Sequence, residues 1–169
     1  MSRVFIQAYC SYPHGGALAN FIQNLTKAVL YLGYDVLLLT DINKEYSFED
    51  VILANSRITV IPIVASEDGE ISRRQKQTGF CDERIGALKR YNICREDRIM
   101  IFWLKNEYFL EKLFELEREI GFKSICGVLE FYHVEDYASE EKYKKDVHIE
   151  REVYLGADAV LAVSEYVCK

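Results

Sequence analysis

The sequence predicts an α/β fold, a Rossmann-like, doubly wound and mostly parallel sheet, with residues 1–169 as a single domain. Three observations predict it. Apolar, β-branched runs recur along the chain with amphipathic helical stretches between them. The first 40 residues read as strand, glycine turn, helix, strand, the order of a right-handed βαβ unit with parallel pairing. A chain of 169 residues, 50% of them hydrophobic, suits one compact domain that buries roughly 70% of its unfolded surface.

Val4-Phe5-Ile6 is the first strand and leads through Ala8 into the turn Ser11-Tyr12-Pro13-His14-Gly15-Gly16. Leu18, Phe21, Ile22, Leu25, Ala28, Val29 and Leu32 then share one helical stripe, and Gly33 suits a left-handed C-terminal cap. Val36 to Thr40 is the second buried strand. A polar loop from Asp41 to Ser47 precedes a short helix over Phe48 to Asn55. Ile58 to Val64 is a β-branched strand in which Pro62 marks an edge or a bulge.

Ser66 to Gly79 is polar, carries the turn signal Asp68-Gly69 and reads as an exposed loop. Phe80 to Tyr91 reads as a helix with Cys81, Ile85 and Leu88 along one side, and Ile99 to Trp103 as a buried strand. Glu107 to Ile120 is a helix whose apolar face holds Phe109, Leu110, Leu113, Phe114 and Ile120, capped by Gly121. Ser124 to Phe131 is the next strand. Ser139 caps a helix to Leu155, with Gly156 after it, and Ala159 to Val163 is the last strand.

Composition removes several classes of function. A net charge of −6 argues against nucleic acid as a partner for the whole surface. The first strand begins by Arg3, which leaves no room for a signal peptide, and no apolar run approaches the ~18 residues of a membrane span. The five cysteines (Cys10, Cys81, Cys94, Cys126, Cys168) are scattered without C-x-x-C, as reduced thiols in a cytoplasmic protein would be. No two of the three histidines lie four residues apart, so no metal is expected.

The glycine turn carries the chemistry. Gly15-Gly16 opens a helix, where free N–H groups and the positive end of the helix dipole suit a phosphate. A tight turn without a ligand accounts for the same glycines, and both readings stand. The turn lacks G-x-G-x-x-G and the P-loop pattern. Ligands on such sheets bind beyond the strand carboxyl ends, where Tyr9 to Gly16, Lys105 to Glu107, Tyr132 to Tyr137 and Ser164-Glu165 should gather. From Arg73 to Arg98 eight basic residues face four acidic ones; Arg84, Lys89 and Arg90 form either a solvated surface or a face for an anionic acceptor or membrane.

Two stretches together resemble the N-terminal half of a GT-B glycosyltransferase of the family 4 type. Pro13-His14-Gly15-Gly16-Ala17, with its helix and Gly33-Tyr34-Asp35-Val36, is similar to the opening "P-x-G-G-A … L-x-x-x-G-H-x-V", Tyr34 replacing the commoner histidine. Gly156-Ala157-Asp158-Ala159-Val160-Leu161-Ala162-Val163-Ser164-Glu165-Tyr166 is similar to the closing "A-D-x-V-I-A-V-S-E" strand. Between them Glu130-Phe131-Tyr132 resembles the "E-W-Y" segment on the acceptor side.

The resemblance implies an acceptor-side domain in sugar transfer from a nucleotide sugar, with no metal and no separate cofactor. It implies that Gly15, Gly16 and Ala17 meet the donor diphosphate. It makes His133 and Glu130 the catalytic candidates, and His14, Tyr132, Glu135, Asp136, Ser164 and Glu165 the acceptor-side candidates. A loop histidine without a role accounts equally for His133, and a carboxylate capping backbone is the alternative for Glu130. The implied partners are a glycan or lipid-linked acceptor and a second, nucleotide-binding domain or subunit. Location would be cytoplasmic, with peripheral contact at the inner face of the membrane.

The sequence stops where that family's next helix begins, so this reading expects a truncated or split enzyme, inactive alone. The alternative is a free-standing Rossmann-like binding or interaction module, or an acceptor-binding subunit without catalysis of its own.

Overall fold

The computed structural model describes residues 2–7, 17–41, 54–63, 73–102, 107–128 and 138–162. Within them the order is β1 (Arg3–Gln7), α1 (Ala17–Tyr31), β2 (Asp35–Asp41), β3 (Ile58–Ile63), α2 (Arg73–Arg90), β4 (Arg98–Ile101), α3 (Glu107–Ile120), β5 (Lys123–Val128), α4 (Glu140–Gly156) and β6 (Ala159–Ala162). The six strands form one sheet in the order β3-β2-β1-β4-β5-β6. Every pair is parallel. This is the Rossmann-like, doubly wound sheet that the sequence predicts.

The pleat sorts the core into two layers. Val4, Ile6, Val36 and Leu38 point to one face and pack with Ile22 and Val29 of α1. Phe5, Leu37, Leu39, Ile99, Ile101 and Cys126 point to the other, against Cys81 and Leu88 of α2, Phe109 and Leu113 of α3, and Ile149 and Val153 of α4. Strands covered on both sides must be apolar at every position, which is why they read as continuous runs rather than alternations.

Local chemistry sets the helix ends. Gly33 has φ +92°. The Gly33 N–H donates to the Leu30 carbonyl at 3.0 Å and that of Tyr34 to Val29 at 3.3 Å, the paired bonds of a Schellman cap. Asn92, φ +51°, repeats this after α2, with bonds from Asn92 to Lys89 and from Ile93 to Leu88. Gly121, φ +83°, ends α3 with one bond to Glu117. Ser139 caps α4 by accepting from the Lys142 N–H at 3.2 Å.

The amino edge of the sheet is tied together in pairs. Arg57, ahead of β3, bonds Asp35 of β2 at 2.9 Å. Arg3 of β1 pairs with Asp97, ahead of β4, at 2.5 Å, and Lys123 of β5 with Asp158, ahead of β6, at 2.6 Å. All six strand starts are thereby held by an ion pair to a neighbour.

Several sequence expectations need correction. The polar stretch expected to be a loop to Gly79 is helical from Arg73, because its arginines, lysine and glutamines are good helix formers without an apolar stripe to reveal them. Gly156 lies inside α4, and Ala157 is the C-cap. Ala28, inside α1, is exposed, and Leu32 stands at 70% exposure because the helix stops at Tyr31. The third strand does occupy an edge, as Pro62 requires. Ala54 and Asn55 lie in the turn region before β3, while the rest of the expected helix from Phe48 lies outside the described residues. So do Trp103, residues 129–131 and Val163 at the expected strand ends.

Arg84 is the largest departure. The sequence reads it, with Lys89 and Arg90, as part of either a solvated surface or a face for an anionic acceptor or membrane, yet it is 1% exposed. Its position on α2 lies on the inward stripe with Cys81 and Leu88, and its guanidinium sits 5.7 Å from the Phe80 ring centroid. Arg90 points outward but is paired with Glu83 at 2.5 Å. The three cations therefore do not form one continuous face.

Candidate functional site

In a parallel sheet wound in both directions, a crevice opens where the connections leave neighbouring strands toward opposite faces. Here that point lies between β1 and β4. β1 is followed by α1 on one face, β4 by α3 on the other, and the two strands are paired to their ends, Gln7 opposite Ile101. In sequence Gly15 and Gly16 directly precede Ala17, the first residue of α1, and lie outside the described residues. A 15-residue helix directs its dipole and free N–H groups toward the carboxyl edge there.

Phe102, just past β4, braces this end of the sheet. Its ring meets Phe21 of α1 edge to face, with centroids 5.4 Å apart and planes at 82°. The room beneath it comes from Gly127 of β5, where a Cβ would stand 2.0 Å from Phe102 Cε1. Aromatic packing thus links the first helix to the strands on the far side of the crevice.

Gln7 was not singled out by sequence reasoning, yet it is the most unusual polar residue at this edge. It is fully buried as the last residue of the central strand, and among the described residues neither Nε2 nor Oε1 has a hydrogen-bond partner. Its pleat position aligns it with Phe5, Leu39 and Ile101 on the α2–α4 face. A glutamine closing an otherwise apolar run was the available signal. Thr40, near the end of β2, is also buried.

Of the catalytic, donor-phosphate and acceptor-side candidates, only Ala17 is placed, at the opening of α1. His14, Gly15, Gly16, Glu130, Tyr132, His133, Glu135, Asp136, Ser164 and Glu165 lie outside the described residues. In sequence they follow β1, β5 and β6, three strands that run the same way. Among the described residues no group of histidine, cysteine and carboxylate side chains could hold a metal ion, and no helix is long and apolar enough to cross a membrane.

A second polar cluster lies at the opposite, amino edge. The Ser124 N–H donates to Glu117 Oε1 at 3.1 Å and to Asp158 Oδ2 at 2.9 Å, and the Ser124 hydroxyl bonds Glu117 Oε2 at 3.1 Å. Burial, then the neighbouring Asp158, push the Glu117 carboxyl up to about 7. Burial also opposes ionisation of Asp158, but Lys123 and Ser124 outweigh it and keep that carboxyl below its ordinary value.

The sign of the pH effect follows. An unfolded glutamate titrates near ~4.3, so between that value and about 7 the folded state holds the extra proton, and stability falls as pH rises through the window. Glu117→Gln keeps an acceptor for the Ser124 N–H and presents an N–H toward Asp158, as the protonated acid does. We expect its Tm to exceed wild type by about 2–4 °C at pH 8 and to match it at pH 5. Thermal unfolding at the two pH values checks this, and an equal shift at both would contradict it.

No protein-family profile matches the chain, and no curated protein matches it at a significant level. Among solved structures it is similar to a short-chain dehydrogenase/reductase (ethylated) from Veillonella parvula DSM 2008, at TM-score 0.54 and 12% identity. The match covers 95% of this chain and 68% of that one. At that identity the likeness is one of fold, and it agrees with the Rossmann-like strand order.

Proposed function

We propose that this Rossmann-like binding domain is the acceptor-side half of a GT-B glycosyltransferase of the family 4 type, taking a nucleotide sugar at the β1–β4 crevice. The observation that carries this reading is the placement of the two motifs. The first runs in sequence from Pro13 through α1 to the start of β2, and the second runs from the end of α4 through β6, an outer strand of the sheet. In this reading Gly15, Gly16 and the Ala17 N–H face the donor diphosphate. Glu130 and His133, which follow β5 in sequence, act on the acceptor hydroxyl. His14, Tyr132, Glu135, Asp136, Ser164 and Glu165 line the acceptor side, and a second domain or subunit supplies the base and ribose pocket.

The chemistry requires that division of labour. Sugar transfer builds positive charge on the ring and negative charge on the leaving diphosphate, so groups on both sides of the breaking bond must act together. Helix N–H donors at the glycine turn serve the diphosphate. Residues 1–169 alone are expected to bind donor without steady turnover.

The glycines give the direct test. Gly16→Val places a branched side chain where the phosphate approaches, and nucleotide-sugar affinity should fall at least tenfold, about 1.4 kcal/mol. Calorimetric titration of both proteins with UDP-glucose and GDP-mannose measures it. Equal affinities would remove the glycines from the site.

A further inference from the structure

We propose that Gln7 is a ligand-contacting residue of the crevice, holding an uncharged, hydroxyl- or amide-bearing part of the ligand on the sheet face opposite α1. The ligand would then straddle the end of β1. Its anionic part lies at the α1 N-terminus on one face, and its neutral part meets the Gln7 carboxamide on the other. The proposal rests on the nucleotide-sugar reading for the identity of the ligand, not for the location of the site.

The argument begins with the isolation of the side chain. Buried polar groups in folded proteins are nearly always hydrogen-bonded, and a carboxamide offers two donors and two acceptor lone pairs. At Gln7 both Nε2 and Oε1 are without partners among the described residues, although the residue is fully buried. Among the described residues its sheet neighbours are apolar: Phe5 precedes it on the same face, and Leu39 and Ile101 flank it across the ladder, all almost wholly buried. A methionine or leucine would fill such a place without leaving an amide stranded. The amide sits at the last position of the central strand, where the crevice opens.

The surroundings also select the chemistry of the guest. An ion brought against Phe5, Leu39 and Ile101 would lose its hydration without a countercharge. A hydroxyl or an amide edge, with a donor and an acceptor side by side, satisfies both ends of the carboxamide at once. Sugar hydroxyls and a carboxamide both qualify.

The test uses Gln7→Met, of similar length and without polar atoms, with Gln7→Leu as a second variant should the first fold poorly. Without ligand, the apolar variant should melt about 2–4 °C above wild type, because the stranded amide is gone. Its affinity for UDP-glucose should fall about tenfold. NAD, a dinucleotide carrying a carboxamide, is the second probe.

Unchanged UDP-glucose affinity would overturn the role of Gln7 while leaving the glycine-turn reading intact. A lower melting temperature in both variants would also overturn it, showing an amide satisfied by internal water. NAD binding that depends on Gln7, with UDP-glucose inert, would overturn the glycosyltransferase reading and support the residue. Failure of both probes to bind wild type would overturn both.

Discussion

Asp97→Ala should destabilise the protein by about 3 kcal/mol, the lower end of the range for breaking a buried ion pair. The Asp97 side chain is 2% exposed and that of Arg3 27%. Asp97 Oδ1 accepts from the Arg3 backbone N–H at 3.3 Å and from Nε at 3.1 Å, and Oδ2 accepts from Nη2 at 2.5 Å and from the Cys94 N–H at 2.9 Å. The remaining Arg3 donors reach the carbonyls of Tyr91 and Asn92, both at 2.8 Å. One carboxylate therefore joins the start of β1 to the turn that leads into β4, 94 residues away. Alanine leaves a half-buried guanidinium without a countercharge and a backbone N–H without its acceptor.

The pH dependence of this group is opposite in sign to that of Glu117. Burial is the largest influence on Asp97 and opposes ionisation, but hydrogen bonds from Arg3 and Cys94 together outweigh it and lower the pKa. Its contribution is complete above the ordinary aspartate value of ~3.9 and is lost as pH falls through the lowered folded value. Urea unfolding at pH 7 and at pH 3 checks both statements. The difference between wild type and Asp97→Ala should shrink in acid, and a mutant within 1 kcal/mol of wild type at pH 7 would contradict the assignment.

Gly127→Val should cost about 2–3 kcal/mol, by overpacking rather than by backbone strain. The added Cβ would stand 2.0 Å from Phe102 Cε1 and 2.3 Å from Cδ1, so the ring has to leave its place. Once displaced, it loses the edge-to-face contact with Phe21 on α1, itself worth about 0.5–1.5 kcal/mol in such pairs. Phe102→Ala in the same background removes the clash, so the double mutant should be more stable than the sum of the two single changes. Denaturation midpoints of the four proteins measure the coupling. Strict additivity would mean that the ring swings aside at no cost.

The fold was legible because its signals are local. Continuous apolar runs report strands buried on both faces, Gly33 and Gly121 report left-handed caps, Ser139 an N-cap, and Pro62 an outer strand. Glu107 to Ile120 has the expected bounds because stripe, charged face and glycine cap agree. The start of α2 was hidden because residues 73–79 carry helix propensity without amphipathic contrast.

Charge was the least legible property. Arg84 reads as one cation in a basic run, and only the rotation of α2 turns it inward. The ion pairs at the strand starts, the Glu117–Asp158 pair and the stranded amide of Gln7 depend on neighbours distant in sequence. No residue spacing reports them. The glycine turn and the carboxylate and histidine candidates rest on their motifs and on the strands they follow.

The central claim, that a nucleotide sugar occupies the carboxyl-edge crevice between β1 and β4, is tested most directly by an amide-resolved NMR titration of residues 1–169 with UDP-glucose and GDP-mannose. The predicted result is saturable shifts at Gln7, Ala17, Ile101 and Phe102, with Arg3, Asp97, Lys123 and Asp158 at the amino edge unmoved. Shifts confined to the amino edge or to the outer faces of α3 and α4, or none with either donor at millimolar concentration, would contradict it.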